Sequence, residues 1–238
     1  MESRHTDYRK RVSIGCMCNL YHQATSVGEV SRFFKDSQLT LSKASQKLNI
    51  EDGYVGADQD GPVLVNGPET ENTLEVSTKR WGFPSVQDGA KPITNIRNLK
   101  SSWWTGINGN YIEKPEFRCL VPFSRFAEWD ASKKGNAWFE IDAPQAFFAG
   151  VWRPWNGERL APVEGKKRRS RQVMNWELFA FLTTMPNEVV APIHPKAMPV
   201  ILTKPDECLK WMAGGLDSLA LQRPLPADMT ILSESNKS

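Results

Sequence analysis

Several features that mark common protein classes are absent from this 238-residue sequence. No apolar run approaches the roughly 20 residues that a membrane-spanning helix needs, and the N-terminal stretch is polar and charged, without the hydrophobic segment of a secretory signal. The four cysteines, Cys16, Cys18, Cys119 and Cys208, are not spaced like a disulfide framework, which favours reduced thiols. These absences argue against a secreted or membrane protein, and we expect a cytoplasmic one.

The composition is that of an ordinary globular protein. Hydrophobic residues make up 40% of the sequence and charged residues 24%, enough to build a sizeable core. The length suits one large domain or two small ones, and no repeat, low-complexity tract or change of composition marks a boundary. We therefore expect a single domain.

The clearest predicted helix lies near the N-terminus. Ser26-Val27-Gly28-Glu29 matches a capping box, and apolar residues continue on the same helical face at Val30, Phe33 and Phe34. A second short helix is predicted at residues 203–212, with Thr203 as its cap and Gly214-Gly215 as its end.

Short strands dominate the rest of the pattern. The candidates are residues 63–65, 73–77, 119–121, 138–141, 147–152, 176–182 and 199–202. The turn residues Asp142-Ala143-Pro144-Gln145 predict a hairpin between two of them. Many short strands with few helices predict an α+β domain with a curved, barrel-like, mainly antiparallel β-sheet core flanked by short helices.

Charge and aromatic residues leave the partner open. The net charge of +3 permits a polyanionic partner without requiring one. The basic run Lys166-Lys167-Arg168-Arg169, followed by Arg171, is either a solvated loop or a nonspecific phosphate contact. The nine tryptophans are expected mostly in the core, although an exposed one beside a basic patch can stack on an unpaired base.

The pair Met17-Cys18 carries unusual chemistry if Cys18 becomes the first residue. A terminal cysteine has an amine and a thiol on adjacent carbons, so it can condense with an aldehyde to an imine and then close through sulfur to a thiazolidine. An α-amine with a pKa near 8 is partly neutral at physiological pH. As numbered, sixteen residues precede Met17, and a Cys18 within a peptide bond keeps only its thiol.

Three further segments place polar side chains among apolar neighbours, as expected where strand ends converge on a pocket. Glu128, in Phe126-Ala127-Glu128-Trp129, is either an ion-paired structural residue or a proton shuttle. His194, flanked by Pro192 and Pro195, is either a structural group or an acid-base residue. Asn95 and Arg97 share one side of an extended chain, where they can act as a hydrogen-bond positioner and a phosphate clamp.

Taken in order, these segments resemble the SOS-response-associated peptidase (SRAP) family from residue 17 to about residue 202. The matching segments are Met17-Cys18-Asn19-Leu20-Tyr21, Arg80-Trp81-Gly82-Phe83-Pro84, Thr94-Asn95-Ile96-Arg97, Phe117-Arg118-Cys119-Leu120-Val121-Pro122, Phe126-Ala127-Glu128-Trp129, Phe148-Ala149-Gly150-Val151-Trp152, Leu182-Thr183-Thr184 and Ile193-His194-Pro195-Lys196-Ala197-Met198-Pro199-Val200-Ile201-Leu202. The resemblance implies an SRAP-like fold. It also implies that the protein senses abasic sites in single-stranded DNA and shields them by a thiazolidine DNA-protein crosslink, with self-processing peptidase and abasic-site lyase activity besides.

The resemblance also implies roles for individual residues. Cys18 is expected to be the nucleophile, Glu128 to shuttle protons, His194 to open the deoxyribose or stabilise its oxygen, and Asn95 to position the cysteine and the sugar.

Four residues are expected to contact DNA: Arg97 at a flanking phosphate, Thr183 at the pocket wall, and Lys196 and Arg118 elsewhere on the DNA strand. No metal and no small-molecule cofactor is expected, and the expected protein is a monomer associated with the nucleoid.

Family members begin at the Met-Cys pair, so residues 1–16 are interpreted as a leader and residues 17–238 as the SRAP-like domain. Either translation starts at Met17 or the protein cleaves itself before Cys18.

Three alternative functions stay open. They are a thiol hydrolase that uses Cys18, His194 and Glu128, a noncovalent reader of damaged or modified DNA, and a metal site formed by Cys16, Cys18, Cys119 and His194. The Cys-x-Cys spacing disfavours the metal site.

Overall fold

The computed structural model describes residues 18, 20–68, 71–85, 91–102, 104–161, 168 and 170–233. The strands in this part of the chain are β1 (Leu20–Gln23), β2 (Thr40–Leu41), β3 (Gly53–Gly56), β4 (Asp60–Asn66), β5 (Thr73–Trp81), β6 (Asn95–Ile96), β7 (Arg118–Phe123), β8 (Arg125–Asp130), β9 (Gly135–Ile141), β10 (Ala146–Ala161), β11 (Ser170–Thr184), β12 (Met198–Pro199), β13 (Ile201–Leu202) and β14 (Thr230–Ser233). The α-helices are α1 (Val27–Phe33), α2 (Gly109–Glu113) and α3 (Pro205–Met212). None of the described helices is long and apolar enough to cross a membrane.

Five strands close into a barrel in the order β11, β10, β7, β4 and β5. The neighbours along this path are antiparallel, and β5 then pairs with β11 in parallel, at Arg80 with Leu178 and Trp81 with Phe179. A ring with an odd number of strands cannot alternate direction all the way round, so one parallel pair is required. The expected α+β domain with a barrel-like, mainly antiparallel core is confirmed.

A second antiparallel sheet, in the order β14, β9, β8, β1 and β3, packs on the barrel. Its inward side chains, among them Tyr21 and Phe126, share one buried cluster with Phe148 and Phe181 of the barrel. The Phe148 ring centroid lies 5.7 Å from that of Tyr21 and 6.1 Å from that of Phe126, both in edge-on arrangements. This aromatic layer fixes β1 and β8 against the barrel.

The local predictions had mixed outcomes. The capping box of α1 is present, with reciprocal bonds between Ser26 and Glu29, and each predicted strand region lies on one or more observed strands. Helix α3 ends at positive-φ glycines, Gly214 and Gly215, as expected. However, its cap position is Lys204 and no side chain caps it, so the prediction that Thr203 caps this helix was wrong.

The predicted hairpin at residues 142–145 is also wrong. Strand β9 pairs with β8 and β14, whereas β10 pairs with β7, β11 and β13. The turn residues therefore carry the chain from one sheet to the other. Turn chemistry specifies a change of direction but not which strands pair across it.

Candidate active site

Cys18 lies just before β1 and is held on both sides of its backbone. Its side chain is buried, and its carbonyl accepts a hydrogen bond from Asn95 Nδ2 at 2.8 Å. Its backbone N–H donates to the carboxyl group of Glu128. Both the nitrogen and the carbonyl of this one residue are therefore fixed by side chains distant in sequence.

The pairing of strands explains how these groups meet. Strand β1 pairs with β8, with Leu20 opposite Ala127, so Glu128 lies next to the start of β1. Along β8 the side chains of Phe126, Glu128 and Asp130 are buried and that of Trp129 is exposed, as the two-residue period of a strand requires. Asn95 comes from β6, which pairs in parallel with β11 on the barrel.

Glu128 and His194 face each other inside this site, with 3.7 Å between Glu128 Oε2 and His194 Nδ1. Burial raises the pKa of Glu128 well above its ordinary value, against the opposing effect of the hydrogen bond from Cys18. Burial, together with the charges of Lys196 and Arg97, lowers the pKa of His194. Both shifts favour uncharged forms, and 3.7 Å is too long for a hydrogen bond. We therefore describe the pair as a carboxylic acid beside a neutral imidazole rather than as an ion pair.

A turn braced by Asn187 presents His194. Asn187 Oδ1 accepts hydrogen bonds from the amides of Val189 and Val190, and Asn187 Nδ2 donates to Leu225 O and Thr230 Oγ1. The amide of His194 then donates to Val190 O at 2.8 Å. Sequence reasoning missed Asn187: its bonds to the amides of Val189 and Val190 are local, but only the fold brings Leu225 and Thr230 to it.

Several buried polar atoms near Cys18 have no hydrogen-bond partner within the described part of the chain. They are Asn95 Oδ1, Glu128 Oε2, Thr183 Oγ1 and His194 Nε2. Thr183 lies on β11, two residues beyond the position that pairs with Asn95. Buried polar atoms in folded proteins are normally paired, so this concentration of unsatisfied groups fits a site that receives a polar ligand.

Two exposed cations border this pocket. Arg97 donates to the carbonyl of Lys196 and contacts Met185, and the charges of both residues act on His194. Gln222 Nε2 donates to Arg97 O at 3.1 Å and to Thr183 O at 2.9 Å, which ties this edge to β11. Gln222 carried no sequence signal, since it lies far from both partners in the chain.

Arg118 is not brought together with the other predicted residues. Its side chain is fully buried, with its guanidinium carbon 3.7 Å from the centroid of the Trp211 ring and Nη2 donating to Ser218 Oγ and Gly215 O. Burial lowers its pKa to about 9. This position gives no support to the expected contact with DNA and fits a structural role instead.

The basic run at residues 166–169 lies mostly outside the described residues. Arg168 is exposed, and Arg171 forms an exposed ion pair with Glu158 at 3.1 Å. Trp129 is 52% exposed and lies on the opposite face of β8 from Glu128. Trp129 is thus an exposed tryptophan, whereas stacking on a base was expected only of one that lies beside a basic patch.

This combination of a closed barrel, a second sheet and a buried cysteine with acid, amide and imidazole partners can be compared with known proteins. The family model described as SOS response associated peptidase (SRAP) matches residues 17–233. The chain therefore belongs to the SRAP family. Membership supports a DNA-damage-related function in association with DNA, and the family name describes a peptidase-like family.

Solved structures share the fold at low sequence identity. A protein from Bordetella bronchiseptica has a TM-score of 0.63 at 17% identity, over 90% of this chain and 97% of its own. A protein from Bacteroides thetaiotaomicron has a TM-score of 0.59 at 20% identity, over 90% of each chain. A phage-related protein from Bordetella bronchiseptica has a TM-score of 0.58 at 15% identity, over 92% of this chain and 95% of its own. The comparison with curated proteins found no match.

Proposed function

We propose that this protein shields abasic sites in single-stranded DNA by forming a covalent crosslink through Cys18. The observation that carries the proposal is the setting of the Cys18 nitrogen, which donates to the buried Glu128 carboxyl group while Asn95 holds the carbonyl of the same residue. When Cys18 is the first residue, that nitrogen is a free amine. It then lies beside an acid with a raised pKa, next to its own thiol.

The first step is imine formation. The amine of Cys18 attacks the aldehyde carbon of the ring-opened deoxyribose and gives a carbinolamine. Glu128, uncharged because of its raised pKa, donates a proton to the departing hydroxyl group, which leaves as water. The resulting iminium ion returns a proton to the Glu128 carboxylate, which leaves a neutral imine.

The second step closes the ring. The thiol sulfur of Cys18 adds to the imine carbon, the thiol proton is transferred away, and the nitrogen gains a proton from the carboxyl group or solvent. In sum, one aldehyde and one aminothiol give one thiazolidine and one water. His194, kept neutral by its lowered pKa, is available to accept a proton here or during opening of the sugar ring.

The proposal requires that residues 1–17 be absent from the mature protein. Start of translation at Met17 with removal of that methionine, or cleavage of the Met17-Cys18 bond by the protein itself, would each produce the amine. The second route is the self-processing peptidase activity. The same imine also permits β-elimination of the 3′ phosphate, which is the lyase activity.

Binding of the DNA strand is assigned to the exposed edge of the pocket. Arg97 and Lys196 are exposed cations beside His194, suited to phosphates that flank the abasic sugar. Thr183, buried and with no hydrogen-bond partner for its hydroxyl group among the described residues, is assigned to the pocket wall. Cys18, Asn95, Glu128 and His194 are then the reacting and positioning groups, and the domain of residues 17–238 functions once Met17 is removed.

The proposal is tested with protein that begins at Cys18, its terminus verified by mass spectrometry. Incubation with abasic single-stranded DNA should give a heat- and detergent-stable adduct on a denaturing gel, and intact DNA of the same sequence should give none. Cys18→Ser should form only an imine that borohydride traps. Absence of any adduct from the verified protein and aldehyde would refute the proposal, and hydrolysis of a thioester probe instead would favour the thiol hydrolase.

A further inference from the structure

The outward face of the second sheet carries a compact group of aromatic and basic side chains, here called the aromatic-basic face: His22, Tyr54, Arg125 and Trp138. They come from four adjacent strands, β1, β3, β8 and β9. The register places Tyr54 and Arg125 directly opposite His22 on either side, and Trp138 opposite Ala127, the second residue after Arg125. All four side chains therefore project from one face.

These side chains contact one another in a fixed arrangement. The ring centroids of His22 and Tyr54 are 4.6 Å apart, and those of Tyr54 and Trp138 are 5.5 Å apart. The guanidinium carbon of Arg125 lies 4.8 Å from the Trp138 centroid, and its Nη2 donates to the Tyr54 hydroxyl group at 2.7 Å. Such contacts hold the rings in place before any ligand arrives.

The face remains accessible, and Arg125 gives it a positive charge. Tyr54 is 55% exposed, and Trp138 and Arg125 are half-buried. His22 is braced by Ser124 Oγ at 2.9 Å and by the exposed Asp52 at 3.0 Å. Within the described part of the chain no carboxylate lies within ion-pair distance of Arg125, although Glu140 is opposite it in register.

The same strands also carry residues of the candidate active site, although Glu128 lies on the opposite face of β8 from Arg125. His22, on β1, is four residues beyond Cys18 in the chain, at most about 13 Å at about 3.3 Å per residue. Arg125 is three residues from Glu128 along β8, about 10 Å by the same measure. Stacked nucleotides of one DNA strand are about 3.4 Å apart, so a DNA strand that passes round the sheet edge between the two faces spans at least about four nucleotides.

We propose that the aromatic-basic face is a stacking platform for bases of single-stranded DNA on one side of the nucleotide that reaches Cys18. The proposal rests on the proposed function, because it takes single-stranded DNA as the ligand. Every base has a π face that can stack on Tyr54 or Trp138 without sequence preference, and Arg125 can neutralise a phosphate of the same strand. Because the platform binds bases on one side of that nucleotide only, the DNA strand crosses the sheet in one direction.

The test measures binding of fluorescein-labelled, intact single-stranded DNA by anisotropy, with protein that begins at Cys18. Tyr54→Ala and Arg125→Ala should each weaken binding by about fivefold or more, the smaller end of a lost stacking contact. Tyr54→Phe keeps the ring and should retain most of the affinity. Arg32→Ala, which removes an exposed cation from α1, is the matched control for charge and should have a smaller effect than Arg125→Ala.

Direction is tested with oligonucleotides whose central abasic nucleotide is flanked by bases on one side only. Tyr54→Ala should raise the protein concentration needed for half-maximal crosslinking with one of these oligonucleotides and not with the other. Equal effects on both, or none on either, would overturn the platform.

The two proposals fail in different ways. If wild-type protein crosslinks abasic DNA while the Tyr54 and Arg125 variants bind intact DNA as tightly as it does, the platform is wrong and the proposed chemistry stands. If no crosslink forms but the variants bind intact DNA more weakly, the platform stands and the chemistry is wrong. A change of oligomeric state in the variants with unchanged DNA affinity would identify the face as a contact between copies of the chain.

Discussion

The Glu128 carboxyl group lies 3.7 Å from the His194 ring in a site where the pKa of the acid is raised and that of the imidazole is lowered. Burial is the first cause of both shifts, so a single physical effect leaves the pair uncharged. An acid that keeps its proton and a base that stays unprotonated are what imine formation from an amine and an aldehyde requires.

Glu128→Gln should stabilise the protein near neutral pH while slowing its reaction. A carboxyl group whose pKa is raised on folding contributes most to stability below its unfolded pKa of about 4.3, and that contribution is lost as the pH rises toward the folded pKa. Gln has no such dependence. Thermal unfolding should therefore show an advantage for the variant near neutral pH that shrinks toward pH values of about 4.

The same variant should form the crosslink about a hundredfold more slowly in single-turnover experiments, as expected on loss of a general acid. Asp130→Asn provides a control on the same strand, since Asp130 accepts bonds within its own turn. A variant that reacts as fast as wild type, or that is less stable than wild type at neutral pH, would contradict the assignment of Glu128.

His194 should set the lower of two breaks in the acid limb of the pH–rate profile, because protonation of the Cys18 amine, with an ordinary pKa of about 8, sets the upper one. The pKa of His194 is lowered, so the neutral base persists below the ordinary value of about 6.5 and the second fall in rate comes only as the pH drops through the lowered pKa. Lys196→Ala removes one of the charges that lower it, so the lower break should move to higher pH at saturating DNA. Lys47→Ala, which removes an exposed lysine elsewhere, should leave it in place. A lower break unmoved by Lys196→Ala would show that another group titrates.

Asn95→Ala should impair positioning rather than binding. The variant removes the donor that holds the Cys18 carbonyl at 2.8 Å, and misplacement of a reacting group by about 1 Å can slow a reaction about a hundredfold. Crosslinking should therefore slow at saturating DNA, while affinity for intact DNA stays the same. Asn98→Ala, a matched change at an exposed asparagine three residues along, should alter neither the crosslinking rate nor the affinity. Equal effects of the two variants would argue against the positioning role of Asn95.

Replacement of Arg97 and of Arg118 by alanine should have different effects on DNA binding and stability, although both residues were expected to contact DNA. Exposed Arg97→Ala should reduce the slope of log affinity against log salt by about one, because one phosphate contact is lost. Buried Arg118→Ala should leave that slope unchanged and lower the free energy of unfolding by about 2–3 kcal/mol, through loss of its contacts with Trp211 and Ser218. Titrations at several salt concentrations and chemical denaturation separate the two. An altered salt slope in a fully folded Arg118→Ala protein would restore its predicted role in DNA binding.

The sequence predicted the helix with the capping box and most strands, because these follow local rules. Strand β8 was missed because Glu128 and Asp130 occupy inward positions, which hides the alternation of apolar and polar residues that marks a strand. Functional sites are where such local rules are expected to fail. The resemblance implied that Arg118 contacts DNA, whereas the fold surrounds its side chain with Trp211, Ser218 and the carbonyl of Gly215. Gln222 could not have been found, since its partners are set by tertiary contacts alone, and the same holds for the bonds of Asn187 to Leu225 and Thr230.

The most direct test of the account compares two forms of the protein that share every residue from Cys18 onward. One begins at Cys18, and the other retains residues 1–17 with the Met17-Cys18 bond made resistant to cleavage, both verified by intact mass. Abasic single-stranded DNA should give the stable, unreduced adduct with the first form only, because the second keeps the thiol but lacks the α-amine. Crosslinking at equal rates by both forms would contradict the central claim that the Cys18 amine, held beside Glu128, initiates the reaction.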